Sequence, residues 1–324
     1  MLAATLAACF MGTPPAEAIA FRGISLTDMM AAYGFGPPSR YGRNAVYRSR
    51  TSTVVFEAGS RRVVFNGLTI YLNRCAAQGA GGLFVAPVDA ADTLGALLFP
   101  TRALKSVGGM TVVLDAGHGG ADPGTQGVGR TEEKALTLDV AKRVRQKLTA
   151  CQMTVWLTRD KDRSTALDER CWRGSKLGAD VFVSIHFNAS RNASISGIET
   201  YIVPAAGYPT TGELERQPIA TRVVPCPGNK FDGANAVLAQ YLQRGLLAHS
   251  HAEDRGIRRA RFYVIRNTSC PAALVECGFL SNPREAARIA DAAYRDQLAE
   301  GIARGILTYL SRVRELRLPP PCDS

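Results

Sequence analysis

Residues 111–148 read TVVLDAGHGGADPGTQGVGRTEEKALTLDVAKRVRQKL, and this stretch decides the fold. Thr111–Asp115 is a short apolar run of the kind that forms a buried strand. A loop carrying His118 follows, then a helical pattern from Glu132 to Leu148 with Glu132 and Glu133 in its first turn. Glycines at 117, 119, 120, 124, 127 and 129 let the loop turn tightly, since glycine adopts backbone angles that other residues avoid. One loop thus has a histidine at its start and a carboxylate at its end, both potential metal ligands.

Beyond this unit the elements keep alternating. Strands are expected at Met153–Thr158, Val181–His186, Gly197–Val203, Phe262–Arg266 and Ala272–Glu276, and helices at Ala166–Leu177, Ala234–Leu247 and Pro283–Leu310. The last helix is well signalled by Asn282-Pro283-Arg284-Glu285, with a cap, a first-position proline and a glutamate three residues on. Such alternation predicts an α/β fold, a mostly parallel sheet with helices on both faces. The segment 204–233, with five prolines, reads as a long insertion.

Residues 21–108 read as a separate small α+β module. Ile24–Tyr33 and Val88–Leu98 have helical spacing, and β-like runs fall at Ala45–Arg48, Thr53–Glu57, Arg62–Phe65 and Leu68–Leu72. Gly108-Gly109 serves as the joint to a domain spanning 109–315, and 316–324 reads as a disordered tail. The first twenty residues are apolar and small with Ala16-Glu17-Ala18 at their end, which reads as an export signal although no basic residue precedes Arg22. Leu6-Ala7-Ala8-Cys9 offers a second export reading, a lipoprotein box that would anchor the chain at Cys9. No later stretch is long and apolar enough to span a bilayer.

The formal net charge of +11 suits an anionic partner, and dispersed arginines equally suit a solvated basic surface. Eight cysteines occur without a C-x-x-C pair, which argues against a thiolate zinc site or a redox dithiol. In an exported chain some would pair, and Cys226 with Cys270, each beside a proline, is the expected disulfide.

The chemistry-bearing residues gather at strand ends. His118 follows Thr111–Asp115, His186 ends Val181–His186, and Glu276 ends Ala272–Glu276. In open α/β sheets ligands bind at the carboxyl ends of the strands, so the three should converge. Two imidazoles and a carboxylate with an open fourth position suit hydrolytic zinc. Each residue also has an ordinary explanation. A first-turn glutamate, Glu132 or Glu133, complements the helix dipole; a strand-end histidine often makes a structural hydrogen bond; Glu276 would then pair with an arginine such as Arg159. His249 and His251 read as solvated residues near a helix end.

The joint pattern resembles a known family. D-A-G-H-G-G-x-D-x-G with x-E-K downstream, V-S-I-H-F-N-A and A-L-V-E-C-G-F-L-S-N are together similar to zinc-dependent N-acetylmuramoyl-L-alanine amidases of the cell-wall hydrolase type, over Thr111–Leu310. That resemblance implies His118, Glu133 and His186 as Zn2+ ligands and Glu276 as the catalytic carboxylate. The implied reaction is hydrolysis of the amide between N-acetylmuramic acid and L-alanine in peptidoglycan, with a metal-activated water and Glu276 as general base and acid. It implies the sacculus as partner, no nucleic acid, and a periplasmic or envelope location; the 204–233 insertion departs from the family pattern and is where a regulatory partner is expected to act. Asp115 or Asn188 could orient a ligand histidine. Other classes that the same residues admit are a non-catalytic peptidoglycan-binding protein and another envelope zinc hydrolase, a deacetylase or peptidase. VFEAGSRRVVFNGLTIYL with GLFVAPVDAADTLG resembles the copper amine oxidase N-terminal module, which implies no copper here because no ligand set is present.

Overall fold

The computed structural model describes residues 23–104, 110–127, 131–212 and 224–316. The proposed export segment, the lipoprotein cysteine, the Gly108-Gly109 joint and the tail from 317 lie outside them.

The N-terminal part runs β1 (Ile24–Ser25), α1 (Leu26–Ala32), β2 (Ser39–Tyr41), β3 (Asn44–Arg48), β4 (Thr53–Glu57), β5 (Arg62–Phe65), β6 (Leu68–Tyr71), β7 (Ala77–Gly79) and β8 (Gly82–Val85). A π-helix at Asp89–Gly95 and short helices α2 (Ala96–Leu98) and α3 (Pro100–Ala103) follow. The remainder alternates: β9 (Thr111–Ala116), α4 (Glu133–Ala150), β10 (Thr154–Leu157), α5 (Leu167–Lys176), β11 (Val181–Asn188), β12 (Ile198–Ile202), a 3-10 turn (Pro227–Phe231) and α6 (Asp232–Ser250). It closes with β13 (Asp254–Arg259), α7 (Tyr263–Arg266), β14 (Ala272–Phe279), α8 (Pro283–Ala290) and α9 (Ala292–Glu315).

Among the described residues, eleven strands form one sheet in the order β10-β9-β11-β14-β12-β13-β6-β5-β4-β3-β2. The β10-β9-β11-β14 core is parallel, as its crossover helices require, and β12 enters antiparallel to β14. The antiparallel meander β2–β6 joins through a parallel bridge at Ile257 and Ile70, so the N-terminal strands extend the same sheet. The hydrophobic cluster is likewise continuous from Leu26 to Val313.

Strand alternation explains the two covered faces. Val112, Leu114, Val183, Ile185, Ala273 and Val275 point into the large cluster under α4, α6 and α9. Val113, Phe182, Ala272 and Leu274 point the other way, into a smaller cluster with Cys171 of α5 and Val264 and Ile265 of α7. By the same period of two, Asp115, Ser184, His186 and Glu276 share that second face.

Three local readings are corrected. Phe262–Arg266 contains one helical turn rather than a strand, because β11 and β12 already occupy both edges of β14, and this segment packs across the sheet face instead. The helix expected at Pro283–Leu310 breaks at Asp291, whose carboxylate caps Ala293 N while Arg295 binds the carbonyls of Ile289 and Ala290. The Cys226–Cys270 disulfide does not form: both thiols are free. Cys226 Sγ lies 3.1 Å from Asn229 Oδ1 at the start of the 3-10 turn, whereas burial pushes the Cys270 thiol up to about 12.

Helices α6 and α9 meet through glycines. A Cβ on Gly245 would lie 2.2 Å from the Gly301 carbonyl oxygen, and one on Gly301 would lie 2.7 Å from that of Gly245. Gly245→Ala gains about 1 kcal/mol of helix propensity but must separate two backbones, so we expect a net loss of roughly 1–3 kcal/mol. Denaturant unfolding checks this, and an unchanged midpoint would contradict the close-packing account.

Candidate active site

The parallel core brings His186 and Glu276 side by side, in direct register on β11 and β14. The next pairing on those strands is shifted between His186 and Asn188, an irregularity of the kind that re-aims side chains near functional sites. His118 comes from the loop after β9 and has a left-handed backbone, φ 62°, uncommon for a residue with a side chain. Glycines make room for the rings. A Cβ on Gly117 would lie 2.3 Å from His186 Cε1, and one on Gly124 would lie 2.6 Å from His118 Cδ2.

Glu133, the first residue of α4, sits between the two imidazoles. Its Oε2 is 3.2 Å from His118 Nε2 and accepts from Thr125 N at 2.9 Å. Its Oε1 is 3.0 Å from His186 Nδ1 and accepts from Phe187 N at 3.0 Å. Burial alone would raise this carboxyl, but the two imidazoles and the Phe187 amide outweigh it and hold it well below the usual carboxylate range. Glu132 instead pairs with Lys134 at 3.3 Å and is absent from the cluster. One potential ligand atom from each of His118, Glu133 and His186 lies within 4.8 Å of the others. This nitrogen and oxygen donor set fits zinc.

Beside the cluster, Glu276 is 8% exposed and its Oε2 has no hydrogen-bond partner. Arg159 does not neutralise it. That guanidinium is spent on the carbonyls of Ala116, Gly117 and Lys134, which shape the histidine loop. Burial, with Glu133 and Glu199 nearby, pushes the Glu276 carboxyl well up. Glu199 faces it in register across β12 and β14 and is itself bound by Arg255 at 2.9 Å and Arg258 at 3.1 Å.

Supporting contacts differ from those the sequence suggested. Asp115 touches neither imidazole: it accepts from Thr158 Oγ1 at 2.6 Å, Ser184 Oγ at 2.7 Å and Arg170 Nη1 at 2.7 Å. Asn188 donates to Glu199 at 3.1 Å. The carboxylate that orients His118 is Asp122, 2.8 Å from Nδ1, leaving Nε2 to face Glu133. Burial lowers the His118 pKa, but Glu133 and Asp122 reverse this and leave it raised. His249 and His251 lie at the end of α6, with His251 as its left-handed cap.

A cavity of about 680 Å³ opens over these groups. Its lining adds an apolar side, Leu167, Phe262 and Tyr263, where Phe262 stands edge-on to Tyr201 at 5.1 Å and the Tyr263 hydroxyl donates to Asp168. The sequence does not reveal this side, because Phe262 and Tyr263 read locally as the start of a strand. The described residues of the 204–233 segment are absent from the lining and instead grip the N-terminal part: Arg61 donates to the Thr210 and Pro209 carbonyls, and Ala205 N to Asn73.

Residues 112–308 match the model of a protein family described as N-acetylmuramoyl-L-alanine amidase. The chain belongs to this family. Among relatives of the amidase region, LytC of Bacillus subtilis (strain 168) is 36% identical over 202 residues, which are 62% of this chain and 36% of LytC. AmiA of Escherichia coli (strain K12) is 31% identical over 227 residues, covering 64% of this chain and 78% of AmiA. This chain therefore spans only about a third of LytC. The solved catalytic domain of CwlV, an amidase from Bacillus (Paenibacillus) polymyxa var. colistinus, superposes with TM-score 0.52 at 34% identity, covering 62% of this chain and 98% of that one. Both the family and the α/β fold agree with the sequence expectation.

Asp115 and Arg170 form a buried ion pair beneath the amidase-family site, and Arg170 also holds the carbonyls of Ala116 and His118. Burial raises the Asp115 pKa, but Arg170 and the two hydroxyls more than reverse this and hold it down. With its folded pKa depressed, Asp115 stabilises the fold above its unfolded pKa of about 3.9 and loses that contribution as pH falls through the folded value. Arg170→Met should cost about 3–5 kcal/mol at neutral pH and flatten the acid limb of the stability–pH curve. Denaturant titrations of both proteins from neutral pH to below the Asp115 range measure this.

Proposed function

We propose that this protein is a zinc-dependent peptidoglycan amidase, hydrolysing the amide between the lactyl group of N-acetylmuramic acid and the first L-alanine of the stem peptide. The observation that carries the reading is a buried carboxylate without a partner, Glu276, in the same cavity as the His118, Glu133 and His186 cluster. Such a group is costly unless a cation or reacting proton uses it.

His118, Glu133 and His186 would hold the zinc. Bound there, zinc supplies Lewis acidity and a water that ionises near neutral pH. Asp122 fixes the His118 ring by its Nδ1, and Thr125 and Phe187 amides fix the Glu133 carboxylate, so the donor atoms are positioned before any ligand arrives. Glu276 takes the proton of the attacking water and returns it to the departing amine.

The envelope would be the place of action, reached through the export segment of residues 1–20, by signal cleavage or by anchoring at Cys9. None of the described helices is long and apolar enough to cross a membrane. Residues 21–108 would serve as an envelope-binding or regulatory module, and 204–233 as the segment on which a regulatory partner acts. The net charge of +11 would favour approach to an anionic wall.

Digestion of purified sacculi, read by mass spectrometry, tests the reading: released intact stem peptides support it, whereas acetate or shortened peptides indicate a deacetylase or peptidase. Glu276→Ala should retain one zinc and lose about 10²–10⁴-fold in rate, while His118→Ala should lose the metal. Normal turnover by Glu276→Ala would remove Glu276 from the mechanism. Asp122→Ala should weaken zinc affinity about 10–100-fold, measured by chelator competition.

A further inference from the structure

The cavity over the histidine and glutamate cluster has an apolar side that the hydrolytic chemistry leaves unused. Leu167 at the start of α5, Phe262 and Tyr263 line it, and they are 51%, 38% and 37% exposed. They are three of the eight exposed large apolar side chains among the described residues, so uncovered apolar surface is concentrated beside the reacting groups. Such a patch marks a binding face. It is also braced from behind. Phe262 stands edge-on to Tyr201, and the Tyr201 hydroxyl donates at 2.7 Å to Glu199, the residue paired in register with Glu276. The Tyr263 hydroxyl donates to Asp168 of α5, and Cys171 Sγ of the same helix lies 3.8 and 3.7 Å from the Tyr263 and Val264 carbonyl oxygens. Side chains fixed in this way give contact area at little cost in entropy.

Charge decides which part of a substrate can lie against this side. Arg170 is the one arginine or lysine among the described residues of the lining, and it is committed to Asp115 and to the carbonyls of Ala116, His118 and Thr165. Acids remain open to solvent: Asp122 in the lining, and Asp168 on the Tyr263 hydroxyl. A stem peptide, which ends in a free carboxylate, would bring its charge to a surface with no spare cation. A pyranose ring is neutral, with C–H groups to set against aromatic rings and hydroxyls to donate to carboxylates. A further polar atom on this side is unclaimed. Thr165 Oγ1, two residues before Leu167, is buried without a hydrogen-bond partner, as a neutral polar ligand group would require.

We propose that Leu167, Phe262 and Tyr263 form a saccharide subsite, packing against the pyranose ring of N-acetylmuramic acid, so that the enzyme selects its substrate by the sugar as well as by the amide. The identification of the sugar rests on the amidase reading above. In that substrate the ring is joined through the lactyl group to the acyl side of the scissile bond, while the charged peptide extends from the amine side. One cavity of about 680 Å³ holds both the reacting groups and the apolar side, which suits a ligand that is a sugar at one end and an amide at the other.

Two compounds with the same scissile amide test the proposal: N-acetylmuramyl-L-alanyl-D-isoglutamine, and D-lactyl-L-alanyl-D-isoglutamine, which lacks the sugar. The zinc-loaded full chain should show kcat/KM at least about tenfold higher on the first, the scale of one aromatic stacking contact. Phe262→Ala should lose about tenfold on the sugar-bearing compound, mainly through KM, and less than about twofold on the other. Phe262→Trp should restore the preference, Tyr263→Leu provides a second variant should Phe262→Ala not fold, and retained zinc shows that a variant is folded. Equal wild-type rates on the two compounds, or a loss in Phe262→Ala that is the same on both, would overturn the subsite. Isothermal titration with N-acetylmuramic acid separates this from the amidase reading. Sugar binding that Phe262→Ala removes, in a wild-type chain that releases no stem peptides from sacculi, would sink the amidase reading and leave the subsite standing; stem-peptide release with no preference for the sugar would do the reverse.

Discussion

The Glu133 carboxylate is the point on which the site depends. It lies within 3.2 Å of His118 Nε2 and 3.0 Å of His186 Nδ1, and it accepts from two backbone amides. A buried anion with fewer partners would be expelled or protonated. Satisfying it therefore forces the glycine loop, the first turn of α4 and the end of β11 into one arrangement. The left-handed backbone at His118 and the ring clearance at Gly117 and Gly124 follow from that demand.

Beneath it is a layer of buried arginines whose work is mechanical. Arg159 and Arg170 bind the carbonyls of Ala116, Gly117 and His118 where the chain leaves β9, and Arg159 also binds that of Lys134 in the first turn of α4. Asp115 neutralises one of these cations. Among the described carboxylates Glu276 is the one with a buried oxygen that lacks a hydrogen-bond partner, whereas Glu199, opposite it in register, is clasped by two arginines; under the proposed function that contrast suits Glu276 to proton transfer.

The N-terminal part is bound to the amidase region by polar contacts as well as by the sheet. Arg61 reaches into the 204–233 segment and Arg259 reaches back to Thr93, while Asp254 binds Thr69 N. Movement at this seam would have to break buried charged hydrogen bonds, each worth more than a neutral one.

Much was legible in the chain itself. The switch from an apolar strand run to a helical period, repeated along residues 111–310, specified an α/β sheet, and strand ends followed by His118, His186 and Glu276 specified where the chemistry should gather, because side-chain period and sheet edge are local properties. Motif order made the family recognisable. Tertiary structure alone decided the rest. Whether Asp115 or Asp122 orients His118 depends on how the glycine loop folds back; whether Phe262–Arg266 is strand or helix depends on which sheet edges are already taken; whether Cys226 and Cys270 pair depends on what each thiol packs against. These are long-range contacts between residues whose local sequence permits either outcome, so only the assembled fold selects among them.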